Sequence, residues 1–256
     1  MVDSSVKHYI AEKIQKLYGE FSCESLVEIW PGKGALTKLI KDISKHFFVI
    51  EKDDTLVHNN KLISEWVQDV NVILSDVLEV DVIKLLDDKK LVPSKTLVVG
   101  NLPYYITSPI LRKFFTGDDL VFPGGIFLVQ KEVAEKIMTS AKKKSFLWWL
   151  LNFGYEVSYL KSVPGKAFSP APKVTSAVIG LKKKDQIPKV PFAKLEEFLD
   201  NFAPFSRKTL WAINKMNIKK SRKAAGDSEY NFTIPNWLES KRLEELTWDE
   251  LMKIIS

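Results

Sequence analysis

Short apolar runs alternate with helical periodicity through the first two thirds of the chain. Leu26-Val27-Glu28-Ile29, Phe47-Phe48-Val49-Ile50-Glu51, Val72-Ile73-Leu74, Leu97-Val98-Val99 and Gly125-Ile126-Phe127-Leu128-Val129 are too short for helices. Being apolar at successive positions, they read as strands buried on both faces. Helical spacing fills the gaps: Ala35 to about Lys45, Asn60 to Gln68, Val82 to Leu86, a segment starting near Ser108, and Lys131 to Ile137. This alternation predicts an α/β fold with a parallel, doubly wound sheet. An apolar helix from Phe146 to Phe153 precedes two extended stretches, Tyr155 to Ser162 and Val174 to Leu181. A Pro-rich loop from Pro164 to Pro172 joins them as a hairpin. Lys182 to Pro188 reads as a linker. Beyond it the pattern is helical over Phe192 to Phe202, Lys208 to Met216 and Thr247 to Ile255, the last opened by the capping box Thr247-Trp248-Asp249-Glu250. The expected division is an α/β domain over residues 1–184 and a small helical domain over residues 185–256.

Composition adds limits. The 45% hydrophobic content is ample for a core, and no run approaches the ~20 apolar residues of a membrane span. The N-terminus lacks a basic-then-apolar signal pattern. The single Cys23 excludes an intrachain disulfide and suits a reducing cytosol. His8, His46 and His58 show no ligand spacing, so no metal is expected. Charge changes the picture more. Residues 142–223 carry 18 Lys and Arg against 5 Asp and Glu, and the rest of the chain carries 20 against 27. A basic band on a mildly acidic body points to a polyanionic partner or, more blandly, to a solvated face.

The candidate chemistry sits at strand ends. Gly100 to Ile110 follows an apolar strand, and its Asn101-Leu102-Pro103-Tyr104 places an amide, a backbone carbonyl and an aromatic ring where open α/β sheets bind ligands. The Asn101 oxygen and the Leu102 carbonyl can accept both hydrogens of an exocyclic amine, leaving its lone pair aimed at a methyl donor. Pro103 fixes the turn. Tyr104 below and Phe168 above can sandwich a purine, while Tyr105 reads as core. Glu28-Ile29-Trp30-Pro31-Gly32-Lys33-Gly34 ends the first strand as a glycine turn for a nucleoside ligand. Glu51 ends the second strand, where it can take ribose hydroxyls, and Asp76 follows the third, placed to accept from an adenine amine. Arg207, Lys208, Lys215, Lys219, Lys220, Arg222 and Lys223 are expected on phosphates.

With these residues in place, the chain resembles the 16S rRNA adenine-N6,N6-dimethyltransferases of the KsgA type, relatives of the Erm resistance methyltransferases. The resemblance runs from about His8 to the C-terminus. It includes Gly100–Ile110, Val129-Gln130-Lys131-Glu132-Val133-Ala134, Phe168 to Val178, Phe202 to Leu210, and Arg242-Leu243-Glu244-Glu245-Leu246. It implies a Rossmann-like seven-stranded sheet with a C-terminal helical domain, S-adenosylmethionine as cofactor, and two adjacent adenosines near the 3′ end of small-subunit rRNA as target. It also implies a cytoplasmic, monomeric enzyme acting on a 30S assembly intermediate. Donor contacts are implied at Trp30, Gly32, Gly34, Glu51, Asp76 and Asn101, and base contacts at Asn101, Leu102, Tyr104 and Phe168. Two departures stand out. Trp30 replaces the family's first motif glycine, beside the methionine half of the donor. Val2-Asp3-Ser4-Ser5 stands where the family carries Gln-Asn-Phe-Leu. The residues therefore leave open a catalytically weakened assembly factor that binds rRNA, and an Erm-type 23S rRNA enzyme.

Overall fold

In the computed structural model, which describes residues 2–58, 70–221 and 232–256, the apolar runs form one sheet. β1 (Ser25–Ile29), β2 (His46–Glu51), β3 (Asn71–Leu74), β4 (Thr96–Asn101) and β5 (Gly124–Gln130) are parallel. The hairpin of β6 (Tyr155–Val163) and β7 (Ser176–Lys183) completes seven strands in the order β3-β2-β1-β4-β5-β7-β6, with β7 antiparallel to both neighbours. The expected fold class is borne out. Strand order reverses between β1 and β4, which opens a crevice beyond their C-terminal ends. Ile29 pairs with Gly100, so Trp30 and Asn101 leave the sheet side by side.

The strands alternate their apolar side chains between two layers. Phe47, Val49, Leu97, Val99 and Ile126 pack under α1 (Ser4–Glu20) and α2 (Thr37–Ile40). After β2 comes α3 (Asp54–His58). Phe48, Ile50, Val98 and Phe127 pack on the opposite face against α4 (Val82–Asp88), α5 (Thr107–Phe115), α6 (Lys131–Ile137) and α7 (Phe146–Gly154). Cys23 is buried in the first layer, and that burial pushes its thiol pKa up to about 11.

Several elements differ from expectation. Helix α1 has no counterpart in the sequence reading, although Asp3 caps it by accepting from Val6 N at 3.1 Å and Val6, Ile10, Ile14 and Leu17 form its buried stripe. The helix expected over Ala35–Lys45 shrinks to α2 plus a 3₁₀ turn at Lys41–Ile43. The glycine turn runs on to Leu36, and the Ser44 hydroxyl, donating to the Glu24 and His46 carbonyls, ends the segment early. The helix expected over Asn60–Gln68 lies outside the described residues. Lys182 and Lys183 belong to β7 rather than to a linker, because their backbones pair with Gly124 and Tyr155.

The C-terminal helices are α8 (Phe192–Phe202), α9 (Leu210–Ser221) and α10 (Trp248–Ile255), so α9 starts two residues later than its pattern suggests. They pack onto α7. Phe192 meets Phe153 edge-on at 5.3 Å, and Trp248 stacks on Trp148 at 6.0 Å while meeting Trp149 edge-on at 4.9 Å. Their apolar residues join the core of the second layer.

Candidate active site

Beyond the ends of β1 and β4 lies a cavity of about 260 Å³, lined by Trp30, Asn101, Leu102, Pro103, Tyr104, Phe168, Pro170 and Pro172. That is slightly under the roughly 300–1,000 Å³ of pockets for drug-sized ligands, a size for one flat base. The turn that forms its floor is tied at several points. Leu102 N donates to the Leu128 carbonyl of β5 at 3.0 Å, and Thr107 Oγ1 donates to the Pro103 carbonyl at 3.0 Å. The Tyr104 hydroxyl and Ser176 Oγ, at the start of β7, share a hydrogen bond of 2.6 Å, which fixes the ring. Among the described residues neither the Asn101 amide nor the Leu102 carbonyl has a hydrogen-bond partner. Both residues line the cavity, Asn101 half-buried and Leu102 buried. Phe168 lines the same space, as expected. Tyr105 does not behave as core: it is 76% exposed, because the turn sends adjacent tyrosines in opposite directions.

The donor side is built around the glycine turn. Gly32 and Gly34 hold φ of 56° and 63°, and Trp30 holds 61°, a left-handed conformation that favours glycine. Trp30 N donates to the Ile50 carbonyl at 3.0 Å, and its indole lines the base cavity rather than turning away. Glu51 is fully buried and clamps the turn: Oε2 accepts from Gly32 N at 3.1 Å, and Oε1 from Lys52 N and Asp53 N at 2.9 Å each. Asp76 carries two donors from the protein. Its Oδ2 takes Lys52 Nζ at 2.8 Å and its Oδ1 takes Leu78 N at 2.9 Å, and the Lys52 ammonium beside it holds its carboxyl below the usual carboxylate range. Glu28, buried at the end of β1, accepts from Thr37 Oγ1 at 2.7 Å, and burial pushes its pKa up to about 8. Asp3 caps α1, and Ser4 and Ser5 open it.

Residues 1–247 match the profile of the ribosomal RNA adenine dimethylase family. The chain belongs to that family. The ribosomal RNA small subunit methyltransferase A of Chlorobium limicola is 34% identical over 96% of this chain and 86% of its own length. That of Onion yellows phytoplasma is 35% identical over 73% of this chain and 69% of its own. A crystal structure of a dimethyladenosine transferase from Plasmodium falciparum shares the fold at a TM-score of 0.70, with 20% identity over 98% of this chain and 94% of that one. The dimethylase reading, with S-adenosylmethionine as cofactor, is borne out by this membership.

Within this dimethylase the glycine turn has room beside it. No heavy atom lies within 4 Å of a Cβ built on Gly32, so the turn leaves open space for a nucleoside. Glu51, fully buried with three backbone donors on its carboxylate, shapes this turn rather than standing open for ribose hydroxyls as expected. Trp30 lines the base cavity together with Asn101. The expected RNA contacts divide: Arg207, Lys208, Lys215 and Lys219 are exposed on and before α9, with Lys215 Nζ 4.7 Å from the centroid of the exposed Trp211 ring. Arg222 and Lys223 lie outside the described residues, as does the side chain of Lys220.

Proposed function

We propose that this dimethylase modifies the N6 amines of two adjacent adenosines near the 3′ end of small-subunit rRNA, on a 30S assembly intermediate, as a cytoplasmic monomer. One observation carries the reading: the Asn101 amide oxygen and the Leu102 carbonyl, two acceptors without a hydrogen-bond partner among the described residues, belong to residues that line a one-base cavity walled by Tyr104 and Phe168. The names of its relatives support the small subunit as target.

The amine of adenine is a poor nucleophile because its lone pair is delocalised into the ring. Holding both hydrogens on Asn101 and Leu102 favours a pyramidal nitrogen, the geometry of the transition state. No strong base is needed, since the proton can leave once the methyl group is on nitrogen. The base must unstack to enter, and each aromatic stack on Tyr104 or Phe168 returns roughly 1–3 kcal/mol. S-adenosylmethionine supplies an electrophilic methyl group when bound. Glu51 shapes the turn that would hold its adenosine half.

A second reading, an assembly factor that binds rRNA without methylating it, draws support from the Trp30 indole in the cavity. Calorimetric titration with S-adenosylmethionine separates the two. For the enzyme, Asn101→Ala should abolish methyl transfer and leave RNA affinity within about twofold, because binding rests on the basic surface. An equal loss of RNA binding would give Asn101 a structural role instead.

A further inference from the structure

A second cavity, of about 330 Å³, lies on the α1 face of the sheet, between the C-terminal half of α1 and the β6–β7 hairpin. Ile126, Leu160 and Gly180 form its floor, and Gly180, having no side chain, keeps that floor low: a Cβ there would meet Leu160 and Ile126 at 3.3 and 3.5 Å. Lys13, Lys16 and Lys182 rim it against a single acid, Glu20, which pairs with Lys182. Lys13 also pairs with Glu12, outside the rim, at 2.9 Å. Next to it the Tyr9 hydroxyl donates to the Leu160 carbonyl at 3.1 Å. Lys13 Nζ and Lys161 Nζ stand 4.9 and 4.6 Å from the Tyr9 ring centroid.

The trough and the base pocket share no lining residue, but α1 runs from one to the other. Val2 N and Asp3 N, at the head of α1, donate to the Ala167 carbonyl at 2.8 and 3.2 Å, and Ala167 precedes the pocket wall Phe168. From there α1 runs 17 residues, about 25 Å at 1.5 Å per residue. We propose that this trough holds the RNA strand that continues from the base in the pocket. The inference rests on the rRNA reading above and adds a binding surface to it. Three lysines against one acid along a groove with an apolar floor supply what single-stranded nucleic acid requires: cations for phosphates and apolar surface for a base. The basic C-terminal helices pack with the opposite layer of the sheet. A strand whose base enters the pocket would then be gripped on both sides of the catalytic rim.

The test compares Lys13→Glu/Lys16→Glu and Lys161→Glu with wild type, binding a small-subunit RNA fragment that contains the target across a salt series. Thermal melting and S-adenosylmethionine titration on the same proteins check that the fold and the donor site persist. Lys84→Glu/Lys89→Glu, on and just after α4 at the far end of the sheet, supplies an equal charge change elsewhere. The double variant should bind RNA at least about tenfold more weakly. Its log K against log salt line should be shallower by roughly 1.4, the slope for two single-strand phosphates. Unchanged affinity and slope, or an equal loss in the α4 control, would overturn the proposal. So would a defect seen only on protein-bearing 30S particles and not on naked RNA, which would make the trough a site for an acidic protein. Failure of the wild-type chain itself to bind the RNA would overturn the rRNA reading along with it.

Discussion

A tryptophan held at φ +61° costs roughly 1–2 kcal/mol of backbone energy that glycine would not, yet Trp30 keeps the loop shape of the neighbouring glycines. That backbone compensates for nothing visible on the donor side. Its indole instead packs on the core and fills part of the base cavity beside Asn101. Replacing it should therefore act on ligand binding more than on folding, because relief of strain offsets the lost packing. Trp30→Gly is expected to tighten S-adenosylmethionine by at least about tenfold, or ~1.4 kcal/mol, with little change in melting temperature. Equal donor affinity in calorimetry for the two proteins would mean that the indole swings aside at no cost, and would remove the main support for the assembly-factor reading.

Glu28 ties two elements together, the end of β1 and the start of α2, through the Thr37 hydroxyl. Its pKa is raised by burial first, with nearby Glu51 adding to the rise. The folded chain keeps it protonated up to about pH 8, whereas an unfolded chain ionises it near 4.5. Its contribution to stability is therefore complete below pH 4.5 and is lost as pH rises through about 8. Glu28→Gln keeps the acceptor for Thr37 and cannot ionise. Melting curves of the two proteins should run together at pH 4 and separate toward pH 8.5, with the variant the more stable. Parallel curves across that range would show an ordinary carboxyl. At this scale the strands are legible in the sequence because each is an apolar run between polar turns. Helix α1 carries an equally plain sign, Val6, Ile10, Ile14 and Leu17 at helical spacing with the lysines off that stripe. The Asn101–Tyr104 turn and Phe168 are legible as partners through their motifs. Contacts such as Lys52 to Asp76 depend on which strand ends meet in space, and adjacent tyrosines carry no local sign of which one faces in.

The C-terminal helices share a core with the sheet through Trp148, Trp149 and Trp248, so the exposed cations of α9 are held by the same body as the base pocket. Four of them, Arg207, Lys208, Lys215 and Lys219, are exposed. Four phosphate contacts predict a loss of roughly 50- to 150-fold in RNA affinity between about 50 and about 200 mM salt. A change under about threefold in filter binding would reduce the band to a solvated face. Cys23 has a further consequence. It is the only thiol in the chain, and with its pKa near 11 it stays protonated and poorly nucleophilic at neutral pH. A maleimide dye offered to Tyr105→Cys would attach at that exposed position alone, with no native cysteine to remove first. The protein is thus ready for a single-fluorophore assay in which quenching beside Tyr104 times the arrival of each base.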